Sequence, residues 1–286
     1  MILNPLVDLI DKSELLTPFY KESLQLMQKN ATRLLLLVNQ LMDFQKTESG
    51  KMKLNVSEND MVDFLSEIYL SFNELAKTQK ITFTFENPYT KLTAFFDENL
   101  FEKVCFNLIS NAFKFSKENG QVQLGLKIIT NSDKSNFHAD IQDDLKDAKG
   151  NLLQITVEDN GLGISEENLK DIFTPFYQVQ ASVKKIQPGS GIGLSLTRSI
   201  VKLSHGSIWA TSEINAGTVF NVVIPIDKDN FSESEIADDK QNYSVDEHID
   251  LPALSLDTGN QTVLVIDDDD DIRQFIARTL SANFKV

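Results

Sequence analysis

The chain has 286 residues, 41% of them hydrophobic and 24% charged, which is enough for one sizeable domain and a smaller module. No apolar run approaches the roughly 20 residues that a membrane helix requires, so we expect no membrane contact by this chain, and its N-terminus lacks a secretory signal pattern. The single cysteine, Cys105, excludes an internal disulfide and fits a reducing cytosol.

The formal net charge of −15 is distributed unevenly. Residues 227–271 hold fifteen acidic residues and two lysines, a net of −13, whereas residues 1–226 hold 27 acidic and 22 basic residues, a net of −5. The acidity belongs to a linker, and we expect residues 227–260 to be disordered because they are rich in acids and poor in aromatic side chains. No nucleic acid partner is expected for this chain.

Residues 1–50 are predicted to form part of an antiparallel helical hairpin. A helix ends near residue 12, and a longer one runs from Thr17-Pro18 to about Lys46. Its apolar residues recur three and four positions apart, as in a coiled coil: Leu24, Met27, Ala31, Leu34, Val38 and Leu41. We expect two chains to pair these helices into a four-helix bundle, so that the protein is a homodimer; packing on the rest of its own chain is the alternative.

Three helices are predicted within residues 51–226. Ser57 and Asp60 are expected to open one that reaches about residue 78. Asp97 is expected to cap a second, which ends near Ser116, and the third spans about residues 194–204.

Strands are predicted between these helices. Alternating or continuous apolar runs place them at residues 81–85, 92–96, 121–129, 152–158, 207–212 and 218–224. The polar stretch 130–150 is expected to be a long flexible hairpin loop. This order predicts an α+β fold in which helices cover one face of a largely antiparallel sheet, a two-layer α/β sandwich.

Four short motifs between residues 107 and 194 carry the candidate chemistry. The first places Asn107, Asn111 and Lys114 on one helix face, where amide oxygens and an ammonium suit Mg²⁺ and phosphate. In the second, Asp159 ends a strand and can accept a hydrogen bond from an exocyclic amine such as that of adenine. Gly161, two residues later, lets the backbone approach a ligand closely.

The other two motifs flank a short intervening segment. The third contains Phe173 and Phe176, aromatic residues that can anchor a mobile segment. The fourth is a glycine-rich loop leading into a helix, a common arrangement for holding phosphate oxygens with backbone N–H groups. A dinucleotide-binding fold is excluded for this loop because its glycines are spaced by single residues and no βαβ unit surrounds them.

Together and in this order, the motifs resemble the N, G1, F and G2 boxes of histidine kinases, within the ATPase superfamily of gyrase, mismatch-repair proteins and heat-shock chaperones. The resemblance covers about residues 57–226. It implies that Asn111 coordinates Mg²⁺ with ATP, that Asn107 and Lys114 contact phosphates and act in catalysis, and that Asp159 binds the adenine amine. The remaining ATP-binding positions that it implies are Gly161, Gly163, Phe173, Phe176, Gly189, Gly191, Gly193, Leu194 and Thr218.

One position separates the members of this superfamily. Members that hydrolyse ATP resemble Glu-x-x-x-Asn on this helix, and the glutamate activates water. Asn107 stands at that place and cannot take a proton, which favours transfer to a protein acceptor. The alternatives are an ATPase of the same superfamily and a degenerate scaffold that only dimerises.

Residues 261–286 resemble the start of a receiver domain. Four apolar residues precede an acidic run in which Asp267 and Asp268 would bind Mg²⁺. A kinase followed by a receiver is the arrangement of a hybrid sensor kinase. The resemblance implies that this chain is the cytoplasmic portion of a membrane-anchored bacterial sensor. It also implies that the receiver domain accepts the phosphoryl group. The family's phosphoacceptor histidine would lie upstream of Met1 and the acceptor aspartate beyond Val286, so this chain alone is not expected to phosphorylate itself.

Overall fold

The computed structural model describes residues 18–129, 137–178 and 190–237. The predicted first helix, Gly189 of the fourth motif, and the start of the predicted receiver domain, including Asp267 and Asp268, lie outside the described residues. Among the described residues, no helix is long and apolar enough to cross a membrane.

The long N-terminal helix is α1, Pro18–Glu48, with proline at its first position as predicted. Gly50, at a φ of +64°, ends it in a left-handed turn. Eight large apolar side chains on this helix are between 40% and 63% exposed: Leu26, Met27, Leu34, Leu35, Leu36, Val38, Leu41 and Met42. Most of α1 is therefore not covered by the described part of its own chain. An exposed apolar surface of this size is typical of an interaction site.

The prediction of one helix from Ser57 to about residue 78 is wrong, because the helix begins later and is interrupted. Ser57–Asp60 forms strand β1, and the helix α2, Met61–Ser71, follows it. Asp60 is the N-cap, accepting a hydrogen bond from the Val62 N–H at 2.9 Å. The helix breaks at the buried residue Phe72, whose N–H bonds three residues back to Tyr69, and α3, Asn73–Gln79, continues after it.

Most of the remaining elements match the prediction to within one or two residues. Strands β2, Thr82–Glu86, and β3, Thr93–Phe96, precede the helix α4, Glu98–Phe115, which Asp97 caps by accepting from the Leu100 N–H at 3.0 Å. The later elements are β4 (Gln121–Ile129), α5 (Ala139–Asp144), β5 (Leu152–Asp159), α6 (Glu166–Leu169), α7 (Gly193–Leu203), β6 (Ser207–Glu213) and β7 (Gly217–Pro225).

The main sheet has five strands in the order β2-β4-β5-β7-β6. Strand β2 pairs with β4 in parallel and all other neighbours are antiparallel, while β1 and β3 form a separate antiparallel pair. Helices α4 and α7 pack against each other and against the sheet, which confirms the two-layer α/β sandwich. Cys105 lies in this core, where burial raises the pKa of its thiol to about 12 and keeps it unreactive.

The segment between β4 and β5 is not wholly the flexible loop that we expected. Residues 137–150 contain α5, and Ile141 and Leu145 are buried against Val223 in a second apolar cluster. Trp209 packs on the same cluster, with the Phe137 ring edge-on at 5.3 Å. Sequence polarity hid this packing because only Ile141 of α5 and Leu145, which follows it, are buried among polar neighbours.

The predicted disorder after residue 226 is wrong for the part that the structure describes. Phe231 is buried, and Ile236 forms a parallel bridge with Val56 beside the first strand. His205 Nε2 lies 3.1 Å from the Glu235 carboxylate, which fastens the same segment to the turn after α7. Residues 227–237 therefore pack on the α/β sandwich, and His205 has a structural partner.

Candidate nucleotide-binding site

Helix α4 carries the three residues of the first motif. Asn107, Asn111 and Lys114 lie on one face as predicted, each partly exposed, while Leu108, Ile109, Ala112 and Phe113 point into the core. The helix packs on β4, β5 and α7 through that apolar face. The polar face is therefore presented along the side of α4 that the fold leaves accessible.

Asn107 is held by helix α7. Its side-chain Nδ2 donates a hydrogen bond of 2.8 Å to the hydroxyl of Thr197, a buried residue one turn into α7. Its Oδ1 lies where a side chain on Gly193 would be, because a Cβ there would be only 2.3 Å from it. The glycine at the start of α7 thus makes room for the Asn107 amide, and Thr197 fixes which way that amide points.

Asp159 ends β5 and is only 5% exposed. Burial raises the pKa of its carboxyl above the ordinary value, and hydrogen bonds from the N–H groups of Gly161 and Thr218 offset part of that rise. The Gly161 bond measures 2.8 Å. A buried carboxylate that already accepts backbone N–H bonds is suited to accept a further bond from a neutral amine.

The turn after β5 brings Asp159 up to helix α4. Leu162 N–H donates to the Phe115 carbonyl, the last residue of α4, at 3.2 Å. A Cβ on Gly161 would lie 2.3 Å from the same carbonyl, and one on Gly163, at a φ of +67°, would lie 1.9 Å from the Glu213 carbonyl. Both glycines are required by close backbone approach, so the first and second motifs form one continuous surface.

The third and fourth motifs meet through backbone more than through side chains. Phe176 N–H donates to the Gly191 carbonyl at 2.9 Å, and both residues have a positive φ. The Phe176 ring is 59% exposed and lies edge-on to Phe44 of α1 at 6.1 Å. Phe173, by contrast, packs edge-on to the core ring of Phe220 at 6.4 Å.

Two further predicted positions have different surroundings. Leu194 is partly buried against the hydrophobic core, so its main contacts are apolar. Thr218 is 5% exposed and pairs with Asp159 across the β5–β7 ladder, close to the second motif. Lys114 stands near the end of α4, its ammonium 5.1 Å from the centre of the Phe115 ring.

Two residues that shape this site, Thr197 and Ser212, were not predicted from the sequence, and Gly217 acts beside them. Thr197 orients Asn107, Ser212 contacts the Thr218 hydroxyl at 2.9 Å, and Gly217, at a φ of +121°, lets the β6–β7 turn pass against the Asp159 carbonyl. Gly217 was noted from the sequence, because Gly217-Thr218-Val219-Phe220 resembles a further strand of the family, whereas the two hydroxyl side chains give no pattern of their own.

The arrangement can bind a purine nucleotide. Asp159 and the tight turn after it offer a buried acceptor for a base, and the α4 face about 12 Å long offers amides and an ammonium for phosphates. No cluster of three or more histidine, cysteine, aspartate or glutamate residues suited to a metal ion occurs among the described residues. A hard cation here would take its ligands from amide oxygens and from the phosphates themselves.

Comparison with known proteins agrees with this geometry. Residues 96–228 match the family described as histidine kinase-, DNA gyrase B- and HSP90-like ATPase. The chain aligns over its whole length with Histidine kinase P4 of Formosa agariphila, at 32% identity and over 20% of that protein. It also aligns wholly with the sensor histidine kinase TmoS of Ectopseudomonas mendocina, at 29% identity and over 29% of that protein. The chain thus spans less than a third of either relative.

Two solved structures share the fold. Full-length ShkA in complex with AMPPNP matches with a TM-score of 0.60 at 21% identity, over 79% of this chain and 44% of that one. The histidine kinase AdeS of Acinetobacter baumannii matches with a TM-score of 0.54 at 20% identity, over 79% of this chain and 94% of that one. Residues 96–228 belong to the histidine kinase-, DNA gyrase B- and HSP90-like ATPase family, and the chain as a whole is similar to histidine kinases.

Proposed function

We propose that this chain is the ATP-binding catalytic core of a protein-histidine kinase, which transfers the γ-phosphoryl group of ATP to a histidine. The observation that carries the proposal is the hydrogen bond between Leu162 and Phe115, which joins the buried carboxylate of Asp159 to the polar face of α4. A base acceptor and a phosphate-binding face are thereby fixed on one rigid surface. The AMPPNP bound by ShkA supports a nucleotide at the corresponding fold.

The base end of the site selects an amine. The Asp159 carboxylate, with Gly161 and Thr218 donating to it from the backbone, has lone pairs left for the amine of adenine. Gly161 and Gly163 exclude side chains from the turn, so the base can lie against the backbone. Burial of the carboxylate strengthens this hydrogen bond and penalises a base without a donor at that place.

The phosphate end lies along α4 and the start of α7. We propose that Asn107 and Lys114 contact phosphates and that Asn111 holds Mg²⁺, which would neutralise phosphate charge when bound. Gly191 and Gly193 would bring backbone N–H groups to the phosphates, together with Gly189. Catalysis then rests on positioning and on charge neutralisation by Lys114.

The site favours transfer over hydrolysis. A hydrolytic member of the superfamily needs a carboxylate as general base on this turn of α4. Asn107 occupies the place; one of its two Nδ2 hydrogens is donated to Thr197 and the other remains for a phosphate oxygen. The phosphorus–oxygen bond to ADP would break as a bond to an imidazole nitrogen forms, and no water-activating group is required.

For the whole protein we propose a hybrid sensor. The histidine would belong to the dimerisation module that α1 completes, and an aspartate of a receiver domain would accept the phosphoryl group next. Pairing of α1 helices from two chains would form that module. The described chain would be the cytoplasmic portion of a membrane-anchored protein, in keeping with a relative named as a sensor histidine kinase.

Substitution of Asp159 by Asn tests the nucleotide site. The amide places a donor where the adenine amine needs an acceptor, so we expect ATP affinity to fall by about 10-fold or more, since a hydrogen bond to a charged group contributes roughly 1.5–3 kcal/mol. Isothermal titration calorimetry measures the change. Glu158→Gln is the matched control, because Glu158 is the exposed neighbour on the same strand and should bind ATP normally.

The alternatives predict different results. Unchanged ATP affinity in Asp159→Asn would refute the assignment of the pocket. Steady release of phosphate by the purified chain would favour an ATPase. Absence of any thermal shift with ATP in the unaltered chain would favour a scaffold without nucleotide chemistry.

A further inference from the structure

The hydroxyl of Ser212 connects three parts of the base pocket. Ser212 lies on β6, and its Oγ is 2.7 Å from the Gly217 carbonyl, 2.7 Å from the Ile164 N–H and 2.9 Å from the Thr218 hydroxyl. Gly217 and Thr218 begin β7, and Ile164 belongs to the segment after Gly163. The serine side chain is partly buried and has no predicted role.

The hydrogens in this group can be assigned by counting. A serine hydroxyl has one hydrogen to donate and two lone pairs to accept with. The Gly217 carbonyl can only accept, so it takes the Ser212 hydrogen, and the Ile164 N–H can only donate, so it fills one lone pair. The Thr218 hydroxyl must then donate to the other lone pair.

This assignment leaves Thr218 as an acceptor. Its single hydroxyl hydrogen is committed to Ser212, so only lone pairs of its Oγ1 remain for a ligand. Thr218 is the cross-strand partner of Asp159 in the β5–β7 ladder, and such partners project from the same face about 5 Å apart. Two acceptors, a carboxylate and a hydroxyl oxygen, therefore stand side by side on one face of the β5–β7 ladder.

We propose that Ser212 is a positioning residue for base selection: by holding the Thr218 hydroxyl as an acceptor, it makes the pocket favour a 6-aminopurine over a 6-oxopurine nucleotide. The inference rests on the proposed ATP site. A 6-amino group brings hydrogens to this pair of acceptors, directly or through a water that donates to both. A 6-oxo group brings only lone pairs and is repelled by them.

Removing the Ser212 hydroxyl frees the Thr218 hydrogen. The Thr218 hydroxyl can then rotate and donate to a 6-oxo group, which lowers the discrimination between the two bases. Asp159 keeps its own backbone donors in that variant, because Gly161 and Thr218 provide them through N–H groups. The effect belongs to base choice and leaves the phosphate end unchanged.

The test compares the dissociation constants of ATP and inosine triphosphate, which carry the same phosphates, by titration calorimetry on the whole chain. The preference for ATP should fall about fivefold in Ser212→Ala, the size expected for one hydrogen bond. Ser212→Thr keeps the hydroxyl and should keep the preference. Thr211→Ala alters the exposed neighbour on β6 and should leave it unchanged.

A second variant shows whether Ser212 acts through Thr218. Thr218→Val removes the hydroxyl with little change of shape and should itself lower the preference for ATP. Adding Ser212→Ala to it should then lower the preference no further. An unchanged preference in Ser212→Ala or in Thr218→Val, or an equal further loss in the double variant, would overturn the proposal, whereas failure of the unaltered chain to bind ATP would overturn the proposed function itself.

Discussion

Two glycines of the site differ in what surrounds them, and this predicts opposite outcomes on substitution by alanine. A Cβ on Gly193 would lie 2.3 Å from a side-chain atom, Oδ1 of Asn107, whereas a Cβ on Gly161 would lie 2.3 Å from the backbone carbonyl of Phe115. The Asn107 side chain can rotate away, but the end of α4 cannot. Gly193 also begins a helix, where alanine is favoured by up to about 1 kcal/mol.

We therefore expect Gly193→Ala to keep or raise the melting temperature while weakening Mg-ATP binding, because Asn107 loses its position. Gly161→Ala should lower the melting temperature. Differential scanning fluorimetry and calorimetric titration give the two quantities for each variant. A destabilised Gly193→Ala with normal ATP affinity would contradict the placement of Asn107 beside the phosphates.

The buried carboxyl of Asp159 predicts how base preference depends on pH. Burial raises its pKa, so the folded chain binds this proton more tightly than the unfolded chain does, and ionised Asp159 lowers the free energy of unfolding at neutral pH. That cost disappears as the pH falls through the raised pKa. The protonated carboxyl can donate, however, so it no longer repels a 6-oxo group.

We expect the ratio of ATP to inosine triphosphate affinity to fall as the pH is lowered through the raised pKa of Asp159. The ratio cancels the titration of the phosphates, which both ligands share. Glu158→Gln should show the same pH dependence as the unaltered chain. A ratio that stays constant or rises at acid pH would show that Asp159 does not face the base.

Residues within one element were predictable, and residues joined by the fold were not. Asn107, Asn111 and Lys114 share a face because their spacing on a helix dictates it. The hydrogen bond from Asn107 to Thr197 joins α4 to α7. Its two residues are ninety positions apart in the sequence, and no local pattern specifies it. Hydroxyl side chains of this kind are common on surfaces, so only the packed structure distinguishes them.

At the scale of elements, the segment 137–150 covers the end of the sheet far from the nucleotide. Ile141 and Leu145 pack beside Ile129 and Leu152, at one end of β5, whereas Asp159 ends the same strand about 24 Å away. The segment therefore stabilises the fold without contacting the candidate site.

Substitution of Ile141 by Ala tests this separation. Loss of a buried isoleucine costs about 2–4 kcal/mol, which should detach α5 and expose Trp209, the only tryptophan of the chain. We expect a red shift of tryptophan fluorescence and unchanged ATP affinity. Asp143→Ala is the control, because its ion pair with Lys146 is largely exposed and contributes little; weaker ATP binding in Ile141→Ala would show that the segment is coupled to the site.

The elements that sequence periodicity misplaced were the short ones. Strand β1 is four polar residues long and pairs only with β3, so it carries no alternating apolar signal. The break at Phe72 comes from packing, since its ring stacks on Phe113 of α4 at 5.6 Å. Helices α4 and α7 and the strands of the main sheet were predicted because each presents an apolar face to the core, and α1 was predicted from the apolar stripe that it leaves exposed.

For the whole molecule, α1 contacts the catalytic fold through its last turns. Phe44 packs on the core, Asp43 forms an ion pair with Lys103 at 2.6 Å, and Gln40 accepts from the Ser190 hydroxyl at 3.0 Å. The exposed apolar stripe lies mostly N-terminal to these contacts. One helix thus meets its own catalytic fold at one end and has an uncovered apolar surface along the rest.

We propose that a second copy of the chain covers this apolar surface of α1. Charged residues placed within the surface should then separate the two chains. Leu34 and Leu41 are seven residues apart in the predicted seam and are 63% and 40% exposed. Replacing both by Asp places two carboxylates in the paired interface of each chain, where desolvation is costly. Thr32 and Asn39 are also seven residues apart, are exposed, and fall on the outward side of the heptad pattern.

We expect sedimentation velocity to show a dimer for the unaltered chain and for Thr32→Asp/Asn39→Asp, and a monomer for Leu34→Asp/Leu41→Asp. The monomeric variant should bind ATP with unchanged affinity, because Asn107 and Asp159 lie within the α/β sandwich. The described contacts of Gln40, Asp43 and Phe44 on α1 are with other residues. A dimer that survives both leucine substitutions would place the interface elsewhere on the chain. Loss of ATP affinity on dissociation would instead mean that pairing of the helices orders the nucleotide site.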